Sequence, residues 1–188
     1  FFLERTHSQI VRLSDLIRDI ALITKTEEAS ELFDKERVNV HNTLQEVIDD
    51  LHDPIIAHGI NVRNEINPQT VIEGNKTLVY AIFRNLIENS INYAGDNISI
   101  GVNNYMEDKE FYYFSYYDTG QGIEENHLNR IFERFYRVCE GRSRQNGGSG
   151  LGLSIVKNAV LFHKGDISAK NRKDGGLEFL FSLKKTLF

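Results

Sequence analysis

At 188 residues the chain has room for one domain with its own core plus an appendage. Hydrophobic residues make up 40% and charged residues 26%, an ordinary globular balance, and the net charge of −5 excludes a general nucleic-acid binder, which needs a basic face. A single cysteine, Cys139, excludes an internal disulfide framework and fits a reducing compartment, no apolar run reaches the length of a membrane span, and the N-terminus lacks a signal-peptide pattern.

Residues 1 to about 28 read as one helix. Leu3, Ile10 and Ile17 recur at heptad spacing, and Leu13 and Ile20 supply a second seam. Such a seam needs a partner: an absent helix, another copy of the chain, or this chain's own domain. Residues 25 to 36, rich in Thr, Glu, Ser and Lys, read as a linker. Beyond them the pattern becomes α/β. Arg37 to Val40 predicts a short strand. Asn42 with Gln45 predicts a capping box ahead of a helix with Leu44, Val47, Ile48, Leu51 and Ile55 on its inner face, which Pro54 should kink or end. Asn61 to Ile66 and Val71 to Glu73 predict strands around the Asn67-Pro68 turn. Asn75 then caps a helix from Lys76 to about Ala94, with Leu78, Ile82, Phe83 and Leu86 turned inward.

Asn97 to Val102 and Phe111 to Tyr117 predict two strands, the second heavily aromatic. Leu128 to Val138 predicts a short helix, and residues 139 to 149 have the polar, basic, glycine-rich composition of a loop. A helix follows from about Leu151 to His163, stopped by Gly165. Asp166 to Lys170 and Leu177 to Leu183 predict a last pair of strands joined through Lys173-Asp174-Gly175-Gly176.

Three features carry chemistry. Asn85, Asn89, Asn92 and Tyr93 share one face of the 76–94 helix; carboxamide oxygens there suit Mg2+, although Asn also occurs on solvated helix surfaces. Asp118 ends an aromatic strand and opens Asp118-Thr119-Gly120-Gln121-Gly122. A carboxylate there can accept a hydrogen bond from an exocyclic amine such as adenine's, while Gly120 and Gly122 let a ring lie against the backbone; a plain turn is the simpler alternative. Gly147-Gly148-Ser149-Gly150-Leu151-Gly152 runs straight into a helix, whose N-terminal amides attract phosphate. It lacks the Gly-Lys-Ser/Thr ending of a P-loop and the acidic residue and strand context of a dinucleotide fold.

Together these segments resemble the ATP-binding domain of sensor histidine kinases. Asn85-Leu86-Ile87-Glu88-Asn89-Ser90 is similar to the N box, Asp118 to Ile123 to the G1 box, Ile131 to Arg137 to the F box and Gly147 to Leu153 to the G2 box. The resemblance covers residues 36 to 186 and implies an α+β fold: a two-layer α/β sandwich of the Bergerat type, a mixed sheet with helices on one face, preceded by an N-terminal helix. Residues 1–30 are similar to the second helix of the dimerisation and phosphotransfer hairpin. The resemblance implies ATP and Mg2+ as ligands, with Asn89 on the metal and Asn85 in the phosphate and metal neighbourhood. Asp118 would read the adenine amino group, Gly120, Gly122 and Ile123 would line the base pocket, and Tyr93 would pack nearby. Gly148, Gly150, Leu151, Gly152 and Leu153 would form the phosphate cradle, Arg137 would reach the γ-phosphate, and residues 138 to 149 would be the lid. It also implies a homodimer through the hairpin helices, a response regulator as partner, and a place in the cytoplasmic portion of a membrane-anchored sensor.

Departures from the family pattern are specific. Asn92 stands where many members place a Lys or Arg that touches phosphate, so affinity there is expected either to be weaker or to be supplied by the lid residues Arg142 and Arg144. Gly176 is followed by Leu177 where the family often has Gly-Thr. None of His7, His41, His52, His58, His127 or His163 lies in a His-Glu-x-x-x-Pro context, so the phosphoacceptor is expected outside this chain. ATPases of the same fold, such as type II topoisomerases and mismatch-repair ATPases, place a Glu one turn before the metal-binding Asn. Here that position is Asn85, which has no base for water, and a kinase is the better reading. A serine kinase of the anti-sigma type lacks the heptad helix, and a nucleotide-binding regulatory module without kinase activity remains the alternative.

Overall fold

The computed structural model describes residues 2–28, 33–138 and 149–186. Helix α1 spans Phe2–Glu28, followed by β1 (Glu36–Asn39), α2 (Val40–Asp50), α3 (His52–Ala57), β2 (Asn61–Glu65), β3 (Val71–Gly74) and α4 (Lys76–Tyr93). Then come β4 (Ser99–Glu107), β5 (Phe111–Asp118), the single turn α5 (Glu125–Leu128), α6 (Gly152–Phe162), β6 (Ile167–Asn171) and β7 (Leu177–Lys184). Five strands form a mixed sheet in the order β2-β4-β5-β7-β6, while β1 and β3 pair antiparallel in a small second sheet. Only β2 and β4 run parallel among neighbours in the large sheet. Among the described residues no helix is long and apolar enough to cross a membrane.

Period-two alternation along the strands and period-3.6 stripes along the helices bring their apolar faces together. Ile100, Val102, Phe114, Tyr116, Phe179 and Phe181 from the sheet meet Leu78, Ile82, Phe83, Leu86 and Ile87 of α4 in one core, joined by Val156 and Val160 of α6 and Leu44 and Val47 of α2. Phe114 stacks on Phe181 with centroids 5.2 Å apart, and Phe83 meets Phe181 edge-on at 6.2 Å, geometries that aromatic quadrupoles favour. This is the two-layer α+β arrangement expected, with helices α2, α4 and α6 against one sheet face.

Helix α1 divides its apolar residues between two stripes. Ile23 is buried with Ala81, Leu151 and Ile155, and Leu16 and Leu22 pack beside them. The expected seam points elsewhere: Ile10, Leu13, Ile17 and Ile20 are 42–60% exposed.

Three local expectations change. Strand β1 stops at Asn39, and Asn39 rather than Asn42 caps α2: its side chain accepts the Asn42 N–H at 2.9 Å, while Gln45 bonds Asp49 instead of reaching back. The break anticipated from Pro54 falls at Leu51, with Pro54 in the first turn of α3, where a missing N–H costs nothing. The helix expected over Leu128–Val138 does not form; beyond α5, residues 129 to 138 are turns, bends and irregular chain. The Phe135 N–H donates at 2.8 Å to Gly150 O, and Phe135 has φ +61°, so tertiary pairing there displaces the intrahelical bond. Asn75, by contrast, caps α4 as expected, accepting the Leu78 N–H at 3.1 Å.

Candidate functional site

The middle of α4 touches both other candidate segments. Asn85 Nδ2 donates to Ala81 O at 2.8 Å. A carbonyl only accepts, so the amide nitrogen is held on the helix and Oδ1 is turned outward. That oxygen faces the start of α6: a Cβ on Gly152 would stand 2.8 Å from it. Asn92 is oriented alike, Nδ2 donating to Glu88 O at 2.7 Å, and Asn89 is half-buried between them. Glu88 pairs with Arg84 Nε at 2.9 Å, so the one acid in this stretch of α4 is engaged away from the asparagine stripe.

One residue beyond Asn89, Ser90 reaches the end of β5. Asp118 is 2% exposed, and a carboxylate so buried needs donors. Oδ1 accepts the Gly120 N–H at 2.9 Å and lies 3.4 Å from the Leu177 N–H; Oδ2 is 3.3 Å from Ser90 Oγ. Ser90 Oγ in turn lies 2.9 Å from Tyr116 Oη, which is 3.0 Å from Leu86 O. Each hydroxyl has one proton: Tyr116 Oη donates its own to Leu86 O, and Ser90 Oγ is the donor to Asp118 Oδ2. Burial pushes the Tyr116 phenol far above its usual range, and it remains a donor at any ordinary pH.

The turn after Asp118 is packed from both sides. Gly120 lies against the backbone of Ala94, where a side chain would collide. Tyr93 is 42% exposed, and its carbonyl accepts from Gln121 Nε2 at 3.3 Å, which puts it at the rim of this turn. Gly122 abuts the side chain of Asn171, and Ile123 is half-buried against the main core.

On the phosphate side, Gly150 has φ +73°, a conformation that favours glycine, and a Cβ there would lie 2.9 Å from Phe135 Cα. The F-box and G2 segments therefore meet backbone to backbone. Leu153 is half-buried in the first turn of α6 and packs on the main core, and Arg137 is half-buried beyond the Phe135 turn. The Leu151 side chain is 1% exposed in the cluster with Ile23, where it packs α1 onto α6, and its N–H donates to Ser149 Oγ at 3.2 Å. Gly148, Arg142, Arg144 and most of the expected lid lie outside the described residues.

Sequence reasoning missed Ser90, Tyr116, Asn171, Arg172 and the role of Gly176. The last was read only as a hairpin turn, yet it presses on the carbonyl of Asp118 with no room for a side chain. Arg172 Nη1 donates to that carbonyl at 3.3 Å while its guanidinium lies 4.1 Å from the Tyr117 ring. A cavity of about 650 Å³ elsewhere, lined by Thr26, Glu27, Phe33, Lys35, Asn158 and Lys164 among others, includes none of the expected site residues.

An open-faced mixed sheet, an asparagine-bearing helix and glycine turns converging on it define a nucleotide-binding α/β sandwich. Comparison with known proteins agrees. Residues 74–187 match the family described as histidine kinase-, DNA gyrase B-, and HSP90-like ATPase, and the chain belongs to that family. It is 30% identical over 186 residues to the sensor histidine kinase WalK of Bacillus subtilis, covering 97% of this chain and 30% of that one. The solved catalytic domain of histidine kinase ThkA superposes with a TM-score of 0.71 at 26% identity, covering 82% of this chain and 97% of that one. ThkA in complex with the response regulator protein TrrA gives 0.73 at 23% identity over 94% of this chain and 49% of that one, a likeness of fold. The chain spans 30–40% of the length of the curated relatives WalK, PhoR and RppB.

Proposed function

We propose that this chain is the ATP-binding catalytic region of a two-component sensor histidine kinase, with residues 1–30 the second hairpin helix and 36–186 the kinase domain. It would transfer the ATP γ-phosphate to a histidine outside the chain, for relay to an aspartate of a response regulator. One observation carries the reading: around α4, an outward carboxamide oxygen at Asn85 faces Gly152, while Ser90 bonds the buried carboxylate of Asp118. Metal-facing, phosphate-facing and base-reading groups are thereby brought to one helix.

The donor set fits Mg2+, a hard cation that takes oxygen ligands and keeps several waters; Asn89 would hold it, with Asn85 Oδ1 beside it. Bound there, the metal supplies charge neutralisation on the phosphoryl oxygens. This chain's own residues do the rest. Asp118 Oδ2 accepts from the adenine amino group in place of, or alongside, Ser90. Gly152 keeps the approach to the α6 amides open, and Arg137 balances charge as the γ-phosphate departs. Phosphoryl transfer needs positioning and electrostatics more than covalent help. With Asn at 85 and Glu88 paired to Arg84, neither of these α4 residues stands ready as a base for water, which favours transfer to an imidazole over hydrolysis. The exposed seam Ile10-Leu13-Ile17-Ile20 suits a homodimer through the hairpin helices in the longer protein.

Incubation with labelled ATP and a separately supplied hairpin fragment bearing the acceptor histidine tests the reading. Acid-labile, base-stable label on the fragment is the expected outcome. Release of free phosphate alone would replace the kinase reading with an ATPase, and nucleotide binding with neither product would leave a regulatory module.

A further inference from the structure

Strand β6, at the edge of the five-stranded sheet, ends at Asn171. Its side chain reaches across to the turn after Asp118 and makes both main-chain hydrogen bonds available at one residue. Asn171 Nδ2 donates to Ile123 O at 2.6 Å, and Ile123 N–H donates to Asn171 Oδ1 at 3.0 Å. Residues 119 to 124 have no strand or helix of their own. The carboxamide thus plays the part of a neighbouring strand for a segment that has none. Gly122 makes room for it, since a Cβ there would stand 2.6 Å from Oδ1. The next residue, Arg172, holds the other end of the same turn through the carbonyl of Asp118.

We infer that Asn171 is a positioning residue for the base-reading half of the nucleotide site. It fixes the main chain of Ile123, and with it the spacing between that apolar side chain and the Asp118 carboxylate, while leaving the phosphate-facing residues of α4 and α6 untouched. The inference rests on the nucleotide-site reading above. Its chemistry is particular to a carboxamide. Alanine loses both bonds, and aspartate keeps an acceptor for the Ile123 N–H but places a second acceptor against the Ile123 carbonyl. The main-chain pairing of Asn171 with Leu177 in the β6–β7 register does not involve the side chain, so the sheet survives the substitution.

Calorimetry on the 188-residue chain, with Mg-ATP and with Mg-bound inorganic triphosphate as the base-free probe, tests this directly. Asn171→Ala should weaken ATP binding about tenfold, as expected for two net hydrogen bonds, while triphosphate binding stays within about twofold of wild type. Asn171→Asp, which sets a carboxylate oxygen against the Ile123 carbonyl, should show the same selective loss, and it decides the matter if the alanine variant gives no cooperative melt. Unchanged ATP affinity in the variants, or equal losses for ATP and triphosphate, would overturn the positioning role while leaving the site reading intact. A wild-type chain that binds ATP no better than triphosphate would overturn both.

Discussion

A Cβ placed on Gly152 would lie 2.8 Å from Oδ1 of Asn85, so the first turn of α6 and the middle of α4 approach without an intervening side chain. The obstacle to a methyl group at 152 is the tip of a side chain, which can swing, rather than backbone. Gly152→Ala should therefore cost about 1 kcal/mol of stability or less, since Ala suits a helix better than Gly. The displaced oxygen is the one the proposed site would offer to metal and phosphate, so ATP affinity should fall by about tenfold. A urea titration beside a calorimetric titration separates the two effects. Full affinity with lost stability would show the contact to be packing only.

Asn89→Ala and Arg137→Ala should differ in kind. If Asn89 holds the metal as proposed, its loss should abolish Mg-ATP binding with the melting temperature nearly unchanged. Loss of Arg137 should lower phosphotransfer to the supplied hairpin by roughly 100-fold and ATP affinity by only a few-fold, because its charge is needed most as the γ-phosphate leaves. Equal losses in both measurements would contradict that assignment.

Ser90→Ala tests the hydroxyl that serves Asp118. The hydroxyl lies between Tyr116 Oη at 2.9 Å and Asp118 Oδ2 at 3.3 Å, and all three groups are buried. Removing it leaves Asp118 Oδ2 without its donor, while Tyr116 keeps Leu86 O, at a cost of about 1–3 kcal/mol. Chemical denaturation should show that loss, and bound ATP, whose amino group can donate to Asp118, should recover part of it.

His163 predicts a pH dependence. The ring is 3% exposed; Nδ1 donates to Ala159 O at 2.7 Å, and Nε2 accepts the Asn75 N–H at 3.1 Å, which fixes the neutral tautomer. Burial lowers its pKa from 6.5 to about 4. The unfolded chain then binds the proton more readily than the folded one between those values. Stability from this group is full above pH 6.5 and declines as pH falls towards 4, by about 3 kcal/mol in total. Urea midpoints at neutral and acid pH should therefore differ more in wild type than in His163→Leu. Parallel curves for the two proteins would rule His163 out as the cause.

The seam on α1 makes a separate prediction. Ile10, Leu13, Ile17 and Ile20 are exposed, and burying each in a helix partner is worth about 1.5–3 kcal/mol. Sedimentation should show self-association that Ile17→Glu abolishes, with ATP affinity unchanged because Ile17 faces away from the α6 contact made by Ile23.

Local chemistry in the sequence determined a good deal. Glycine density at 120–122 and 147–152, the asparagine stripe, the Asn75 cap and the alternating aromatic strand each depend on residues within one or two turns of one another. Periodicity and turn chemistry make such patterns visible. The heptad on α1 was legible for the same reason, including its need for a partner. Tertiary structure alone decided what closes the site. Asn171 meets Ile123 across 48 residues and the Leu177 amide meets Asp118 across 59, distances at which no pattern survives. It also overruled one local signal: the apolar spacing over 128–138 suggests a helix, but the Phe135 N–H finds Gly150 instead, and only the fold shows the Leu151 side chain packing on α1. A backbone donor or an apolar side chain takes whichever partner burial supplies, and for these residues that partner comes from another part of the chain.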